Sequence, residues 1–279
     1  MRTYRNLCAA VLIATLISLS CAAQSSSFAA PPVYDHIVVV VEENHSAYQL
    51  GGCAYLSSLA SRGASFARMY AITHPSQPNY FALFSGSTQG VTDDHVHTIS
   101  AANLYDSLVA AGRSFAGYAE GLPSVGFTGA SSGVYVRKHA PWVSFASVPG
   151  GLSLPFSAFP TDFSTLPTVS FVIPNVDNDM HDGTPAQADE WLKTNLDAYA
   201  TWAESHNSLL IVTFDEPYDG QSPAATPIYT VFVGASVIPG TVVPYAHTLY
   251  SILRFIEDDL GLPHLGQDAA AASIKGPWG

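Results

Sequence analysis

Two apolar runs that each end in an acidic pair constrain the fold of this chain most strongly. Residues 36–41 (H-I-V-V-V-V) and 209–214 (L-L-I-V-T-F) are almost continuously apolar, which is typical of strands buried on both faces of a parallel sheet. Acidic residues follow directly, at 42–43 and at 215–216. Because open α/β sheets bind ligands beyond the carboxyl ends of their strands, these acids indicate a candidate site.

Strand and helix patterns alternate along the rest of the chain. Further strands are predicted at 115–119, 168–173 and 228–233, and helices at 55–62, 79–83, 103–111, 186–205 and 245–260. This alternation predicts an α/β fold with a mostly parallel central sheet flanked by helices on both faces. Residues 121–166 are rich in Gly, Pro and Ser, which predicts an irregular insertion at the rim of a pocket. No repeat or linker divides the chain, so we expect a single domain over 24–279.

The composition limits the classes of function. The chain has 279 residues, of which 48% are hydrophobic and 11% charged, which allows a substantial core and excludes disorder. The formal net charge is -12 and no basic cluster occurs, so we predict no nucleic-acid partner. An acidic protein that handles anions needs a local positive field, which a bound metal ion supplies.

The N-terminus has the pattern of a secretory signal. Arg2 and Arg5 precede an apolar stretch at 7–19, and small residues follow, which predicts a signal peptide at 1–23. A lipid anchor on Cys21 is the alternative. The apolar stretch is too short to predict a stable membrane span, so we expect a secreted or periplasmic protein.

One hydroxyl group is placed where a helix would begin. Ser76 precedes Pro78 and Asn79, and proline is favoured in the first helical turn. The N–H groups exposed at such a start form an anion site. A serine there can attack phosphorus if a metal ion lowers its pKa. The alternative is that Ser76 only caps the helix, and this segment by itself favours the cap.

The acidic strand ends predict a metal site. Glu43, Asn44, Asp215, Glu216 and the Ser76 hydroxyl form an all-oxygen set, which suits Mg²⁺, Ca²⁺ or Mn²⁺ and is also compatible with Zn²⁺. Carboxylates against an apolar sheet need a cation or a donor to offset their desolvation. For either acidic pair taken alone, a solvated loop is an equally good interpretation.

Five short motifs occur in a specific order. They are E-N-H-S (43–46), H-P-S-Q-P-N-Y (74–80), P-N-V-D-N-D-M-H-D-G (174–183), T-F-D-E (213–216) and H-T-L-Y-S-I-L-R-F-I-E (247–257). Together they resemble the bacterial and fungal phosphoesterase family of acid phosphatases and phospholipases C, in the alkaline phosphatase superfamily. The resemblance implies an alkaline-phosphatase-like fold and the hydrolysis of phosphoric esters.

The resemblance also implies roles for single residues. Ser76 matches the family's nucleophile, and Asn79 is expected to hold a phosphoryl oxygen. Glu43 and Asn44 are expected to bind the metal ion, with the acidic pair 215–216 completing the site. This pair is Asp-Glu where some relatives have two aspartates.

Histidines supply the remaining catalytic candidates. His139 and His181 resemble the family's pocket histidines, one acting as general acid and the other binding phosphate, in an order that the sequence leaves open. Asp179 and Asp182 flank His181 and are expected to fix its tautomer.

Three residues keep two interpretations each. His247 is either a helix cap or a pocket residue, and Lys138 either pairs with phosphate or is a solvated charge. Asp189 either supports the site from behind or is only a first-turn charge on its helix. A fourth feature, G-A-S-S-G at 129–133, matches the nucleophile elbow of serine esterases, but strand-like rather than helical residues follow it.

These observations lead to one hypothesis and its rivals. We expect a secreted, metal-dependent phosphoric-ester hydrolase that works through a phosphoserine, most simply an acid phosphatase. The alternatives are a phospholipase C-like phosphodiesterase and a non-catalytic phosphate-binding protein. The expected partner is a small phosphate ester or a phospholipid head group.

Overall fold

The structure of the chain, a computed structural model, describes residues 31–279, so the predicted signal peptide lies outside the described residues. The strands are β1 His36–Glu42, β2 Ala64–Tyr70, β3 Phe115–Ala119, β4 Ser131–Ser132, β5 Tyr135–Val136, β6 Ser153–Pro155, β7 Val169–Ile173, β8 Ser208–Phe214, β9 Thr230–Gly234 and β10 Thr241–Thr248. The α-helices are α1 Ala54–Arg62, α2 Ser76–Ser85, α3 Leu104–Ala110, α4 Pro185–Ala203 and α5 Leu249–Leu260.

Eight of these strands form one sheet in the order β10-β2-β9-β8-β1-β7-β3-β6. Neighbouring strands are parallel except at β9, which runs antiparallel to both β2 and β8. The predicted α/β fold with a mostly parallel central sheet is therefore confirmed.

The register between β1 and β8 positions the two acidic pairs. The strands are parallel neighbours, and Glu42 lies opposite Phe214. The Asp215 N–H donates to the Glu42 carbonyl oxygen at 3.0 Å. Both strands are buried along their length, because apolar side chains on both faces of a central strand are covered by other elements. The chain therefore leaves the sheet at two adjacent points, each with acidic residues.

Outside the insertion at 121–166, two strands, β2 and β10, were absent from the sequence prediction. The predicted helix at 245–260 is wrong at its start, because β10 occupies Thr241–Thr248 and α5 begins at Leu249. β10 is an edge strand with several exposed residues, so it lacks a continuous apolar run, and its Pro244 is tolerated only at an edge. β2 was missed because exposed residues interrupt its apolar pattern.

The insertion at 121–166 is mostly irregular, as predicted. It contributes the short edge strand β6 and a separate hairpin formed by β4 and β5. The G-A-S-S-G segment lies in this hairpin, with Gly133 at φ 57° in its turn. The strand-turn-helix context of a nucleophile elbow is therefore missing, and the serine-esterase alternative loses its support.

Two further features concern membrane-spanning helices and cysteine chemistry. Within residues 31–279, no helix combines the length and the hydropathy needed to cross a bilayer. Cys53 is a free, buried thiol, and burial raises its pKa to about 11. A thiol that stays protonated at neutral pH is a packing residue and a poor nucleophile.

A buried acid pair joins α5 to the C-terminal segment. Glu257 and Asp268 are both 0% exposed. Burial, followed by hydrogen bonding and repulsion from Asp268, raises the pKa of Glu257 to about 10. Because two ionised carboxylates cannot hydrogen-bond, the folded protein keeps a proton on Glu257 at neutral pH, while a glutamate in the unfolded chain titrates near about 4.3. Between these two pKa values the folded state binds more protons than the unfolded state, so the free energy of unfolding falls as pH rises through this range.

We expect Glu257→Gln to raise the free energy of unfolding above that of wild type by more at pH 8 than at pH 5. Glutamine keeps an uncharged donor toward Asp268 without the cost of holding a proton, and the gain at pH 8 should be on the order of 1–3 kcal/mol. Urea unfolding at the two pH values measures it. The exposed Glu190→Gln on α4 is the matched control and should show no pH-dependent difference. Equal effects of Glu257→Gln at both pH values would contradict the protonated pair.

Candidate active site

Ser76 is the first residue of α2 and is 2% exposed. Its Oγ lies 3.0 Å from Glu43 Oε2 and 3.2 Å from Glu216 Oε1, and the helix start has no side-chain capping bond. The hydroxyl therefore faces the acidic strand ends, and the alternative of a simple helix cap does not describe it.

Backbone geometry brings Asn44 into the same site. Asn44 adopts a left-handed conformation, φ 49°, which asparagine tolerates better than most residues. Its N–H donates to Asp215 Oδ1 at 3.2 Å. Asn44 Oδ1 and Asp215 Oδ2 are both buried without a hydrogen-bond partner. Buried oxygen atoms without a donor are costly, and a hard cation would satisfy them.

The raised pKa values of the acidic residues also favour a cation site. Burial, followed by repulsion from Glu43, raises the pKa of Asp215 well above its usual range and that of Glu216 to about 7. Three carboxylates in one buried place are unfavourable unless a positive charge compensates them. The donor set of Glu43, Asn44, Asp215, Glu216 and the Ser76 hydroxyl therefore fits an oxygen-preferring cation.

His139 lies between two carboxylates. Its Nε2 is 3.1 Å from Glu43 Oε1 and its Nδ1 is 3.1 Å from Asp179 Oδ2. Burial lowers the pKa of His139 to about 4 and raises that of Asp179 to about 7. Tyr80 stacks on the imidazole ring with centroids 5.2 Å apart, and its hydroxyl donates to Glu43 Oε1 at 2.6 Å. The Tyr80 hydrogen bond thus orients Glu43, and His139 lies against the same carboxylate.

His181 lies nearer the solvent, with 28% of its side chain exposed. Its Nδ1 is 2.7 Å from Asp182 Oδ1, and its Nε2 is 3.2 Å from Lys138 Nζ. Because an ammonium group only donates, Nε2 accepts from Lys138 and Nδ1 carries the proton toward Asp182. Asp179 instead accepts from the His181 backbone N–H at 2.8 Å. Ring atoms of His139 and His181 and a Glu43 oxygen lie within 4.8 Å of one another.

Asn79 is fully buried and its amide is occupied by the chain before Ser76. Its Oδ1 accepts from the N–H groups of Ile72 and Thr73 at 3.0 and 3.1 Å. Its Nδ2 donates to the carbonyl oxygens of Thr73 and Pro75 at 2.8 and 3.3 Å and approaches Glu216 Oε2 at 3.3 Å. In this arrangement Asn79 shapes the loop that precedes Ser76, and its contact with a phosphoryl oxygen stays a prediction.

Three residues of the site were missed by sequence reasoning. Tyr80 is one helical turn beyond Ser76, so the i,i+4 spacing on α2 was the available signal. His74 lies in the same motif; its Nδ1 is 2.7 Å from Glu216 Oε2, and its Nε2 is 2.8 Å from the Gln221 carbonyl oxygen. Asp94 accepts from Lys138 Nζ at 3.0 Å, and no sequence pattern indicated this contact, because Lys138 is 44 residues away along the chain.

Two candidate residues have surroundings that differ from those expected from the sequence. His247 is a residue of β10 and packs edge-on against Phe66, so it is not a helix cap. Asp189 accepts from the N–H groups of Tyr55 and Leu56 at 2.9 and 2.8 Å. It thereby caps α1 from α4, which differs from both interpretations of the sequence.

Comparison with known proteins identifies the family and the fold of this chain. The model of the phosphoesterase family matches residues 47–263, which is most of the chain. Among solved structures, a protein of the alkaline phosphatase superfamily from Vibrio parahaemolyticus has a TM-score of 0.58 at 13% identity, covering 88% of this chain and 72% of that one. Fold and site therefore define a hydrolase of phosphoric ester bonds with an alkaline-phosphatase-type sheet.

This chain belongs to the phosphoesterase family. A phosphatidylinositol-3-phosphatase of Mycobacterium tuberculosis is 50% identical over 89% of this chain and 84% of its own length. An acid phosphatase of Aspergillus fumigatus is 31% identical over 77% of this chain. The chain spans only 52% of that fungal protein and 58% of a phosphate-repressible acid phosphatase from Penicillium chrysogenum.

The hydrogen-bond network of Asn79 predicts a large effect on stability. Asn79→Ala leaves the N–H groups of Ile72 and Thr73 without their acceptor, so we expect a loss of about 2–4 kcal/mol in the free energy of unfolding. Chemical denaturation measures it. Asn195→Ala, which removes a side chain that only bonds back to its own helix, is the matched control and should change stability little. A comparable loss in both variants would show that the network around Asn79 is not special.

Proposed function

We propose that the protein is a metal-dependent phosphomonoesterase that uses Ser76 as a nucleophile and forms a phosphoserine. The observation that carries the proposal is the Ser76 Oγ, buried at 3.0 Å from Glu43 and 3.2 Å from Glu216. A hydroxyl that serves only as structure has no need of two carboxylates beside it. One or both of these carboxylates are positioned to receive the serine proton.

A divalent cation held by Glu43, Asn44, Asp215, Glu216 and Ser76 would lower the pKa of the serine hydroxyl and bind a phosphoryl oxygen. The Ser76 oxygen forms a bond to phosphorus, and the bond from phosphorus to the alcohol oxygen breaks. Water then hydrolyses the phosphoserine and releases phosphate.

The leaving alcohol oxygen needs a proton from a group near the open side of the site. His181 is partly exposed and hydrogen-bonded to Lys138, whereas His139 is completely buried between two carboxylates. We therefore assign the general-acid role to His181: its Nε2, which accepts a hydrogen bond from the Lys138 ammonium, takes a proton from that ammonium and passes it to the leaving oxygen. His139 is treated as a buried neighbour of Glu43 and Asp179.

Monoester hydrolysis is the activity we favour over phosphodiester cleavage. The relatives with the most informative names are a phosphatidylinositol-3-phosphatase and several acid phosphatases, and these names describe removal of a phosphate group from a monoester. A phospholipase C-like activity predicts turnover of bis-p-nitrophenyl phosphate, and a phosphate-binding protein predicts binding without turnover. Assays on p-nitrophenyl phosphate and its diester separate the three.

We propose that the mature enzyme is the single domain at 24–279 and acts outside the cytoplasm. The support is the N-terminal pattern, in which Arg2 and Arg5 precede the apolar stretch 7–19. N-terminal sequencing of the exported protein tests it, with a start near residue 24 as the expected result.

Removal of the Ser76 hydroxyl should abolish turnover. We expect Ser76→Ala to lower kcat on p-nitrophenyl phosphate by roughly a thousandfold or more, as for other nucleophile deletions. Ser85→Ala is the matched control, because Ser85 is a buried serine at the other end of α2 that bonds only locally. Mass spectrometry of acid-quenched enzyme should find a phosphate on Ser76. Activity retained in Ser76→Ala would refute the assignment.

Chelation should remove activity, and one divalent cation should restore it. His74 holds Glu216 from the side away from Ser76, so His74→Ala should weaken cation affinity by about 10- to 100-fold in calorimetric titration. The control is His206→Ala, an exposed histidine that stacks on Trp202. Turnover that persists after complete chelation would exclude the metal-dependent mechanism.

A further inference from the structure

A cavity of about 360 Å³ lies between the start of α2 and the insertion, and His95 and Arg137 are among its lining residues. Gln77, the residue after Ser76, lines it together with Asp94 and Lys138. Its volume lies at the lower end of the about 300–1,000 Å³ that small-molecule sites occupy. The cavity is therefore large enough for the alcohol part of a small phosphate ester.

Hydrogen bonds connect this cavity to the catalytic groups. Asp94 Oδ1 accepts from the Gln77 N–H at 3.0 Å, and Asp94 Oδ2 accepts from Lys138 Nζ at 3.0 Å. Lys138 also donates to His181 Nε2 at 3.2 Å. One ion pair thus touches the residue after the nucleophile on one side and the proposed general acid on the other.

The pair remains accessible to a ligand. The side chains of Lys138 and Asp94 are 18% and 31% exposed, so each keeps polar surface toward the cavity. Gln77 Oε1 is buried without a partner and adds an acceptor. Val96 and Val136 line the same cavity and offer apolar contact.

This combination matches an alcohol that carries neighbouring hydroxyl groups. A hydroxyl group both donates and accepts, so adjacent hydroxyls can donate to Asp94 and Gln77 and accept from Lys138. The carbon skeleton would contact the valines. An aromatic alcohol would desolvate the ion pair without replacing its hydrogen bonds.

We propose that Asp94 and Lys138 are specificity-determining residues that select phosphate monoesters of polyols through the hydroxyls next to the ester. The proposal rests on the function proposed above for the same site. Because Lys138 also contacts the proposed general acid His181, the test has to separate loss of hydroxyl recognition from loss of acid catalysis.

The test compares a polyol ester with an ester that has no hydroxyls. For wild type and Asp94→Asn, kcat/KM is measured on myo-inositol 1-phosphate and on cyclohexyl phosphate, whose leaving alcohol also needs a proton but carries no further hydroxyl groups. Asparagine keeps an acceptor for the Gln77 N–H and loses the charge that orients Lys138. We expect the ratio of the two kcat/KM values to fall about tenfold or more, because a polar site loses discrimination when its hydrogen bonds are broken.

The matched control is Asp93→Asn, the neighbouring aspartate that bonds to His95 and His97, and it should leave the ratio unchanged. An unchanged ratio in Asp94→Asn, or an equal fall in Asp93→Asn, would overturn the proposal while leaving the phosphatase intact.

Binding separates failure of this proposal from failure of the proposed function. Myo-inositol 1-phosphate and phenyl phosphate are titrated into Ser76→Ala with and without Asp94→Asn. A selective loss of about tenfold for the inositol ester supports the polyol site even if wild type shows no turnover. Equal affinities in the two backgrounds refute it, whatever the activity.

Discussion

The register of two parallel strands is the constraint on which this structure depends. Because Glu42 lies opposite Phe214 in neighbouring strands, the acidic pairs that follow β1 and β8 meet at one edge of the sheet. Buried carboxylates repel one another and lose hydration, and the raised pKa values of Asp215 and Glu216 express that cost. A cation bound there would compensate these charges and, as proposed above, bind a phosphoryl group.

The groups around the ends of these strands divide into those that would contact substrate in the proposed reaction and those that hold them. Ser76 faces the carboxylates, while Asn79 ties down the loop in front of it. Tyr80 hydrogen-bonds to Glu43, and His74 hydrogen-bonds to Glu216. Rigid support of this kind keeps the reacting atoms in place without reorganisation, which is the main source of electrostatic catalysis.

The sequence predicted the central strands, the α/β class and the residues that meet at the strand ends, because continuous apolar runs and the acids after them are local patterns. It missed β2 and β10, whose exposed positions interrupt the apolar pattern. It also missed the bracing contacts, since Tyr80 and His74 lie 37 and 142 residues along the chain from the glutamates that they contact. Such contacts depend on tertiary packing, which no short window of sequence contains. The actual surroundings of Asp189 and His247 were hidden for the same reason.

The distribution of the candidate cation ligands along the chain has a mechanical consequence. Glu43, Ser76 and Asp215 belong to three separate connections of the sheet, so an ion bound to all of them would act as a cross-link closing two long loops. Its binding energy would add to the stability of the folded state and to no other state. Loss of the ion would then destabilise the loops after β1, β2 and β8 together.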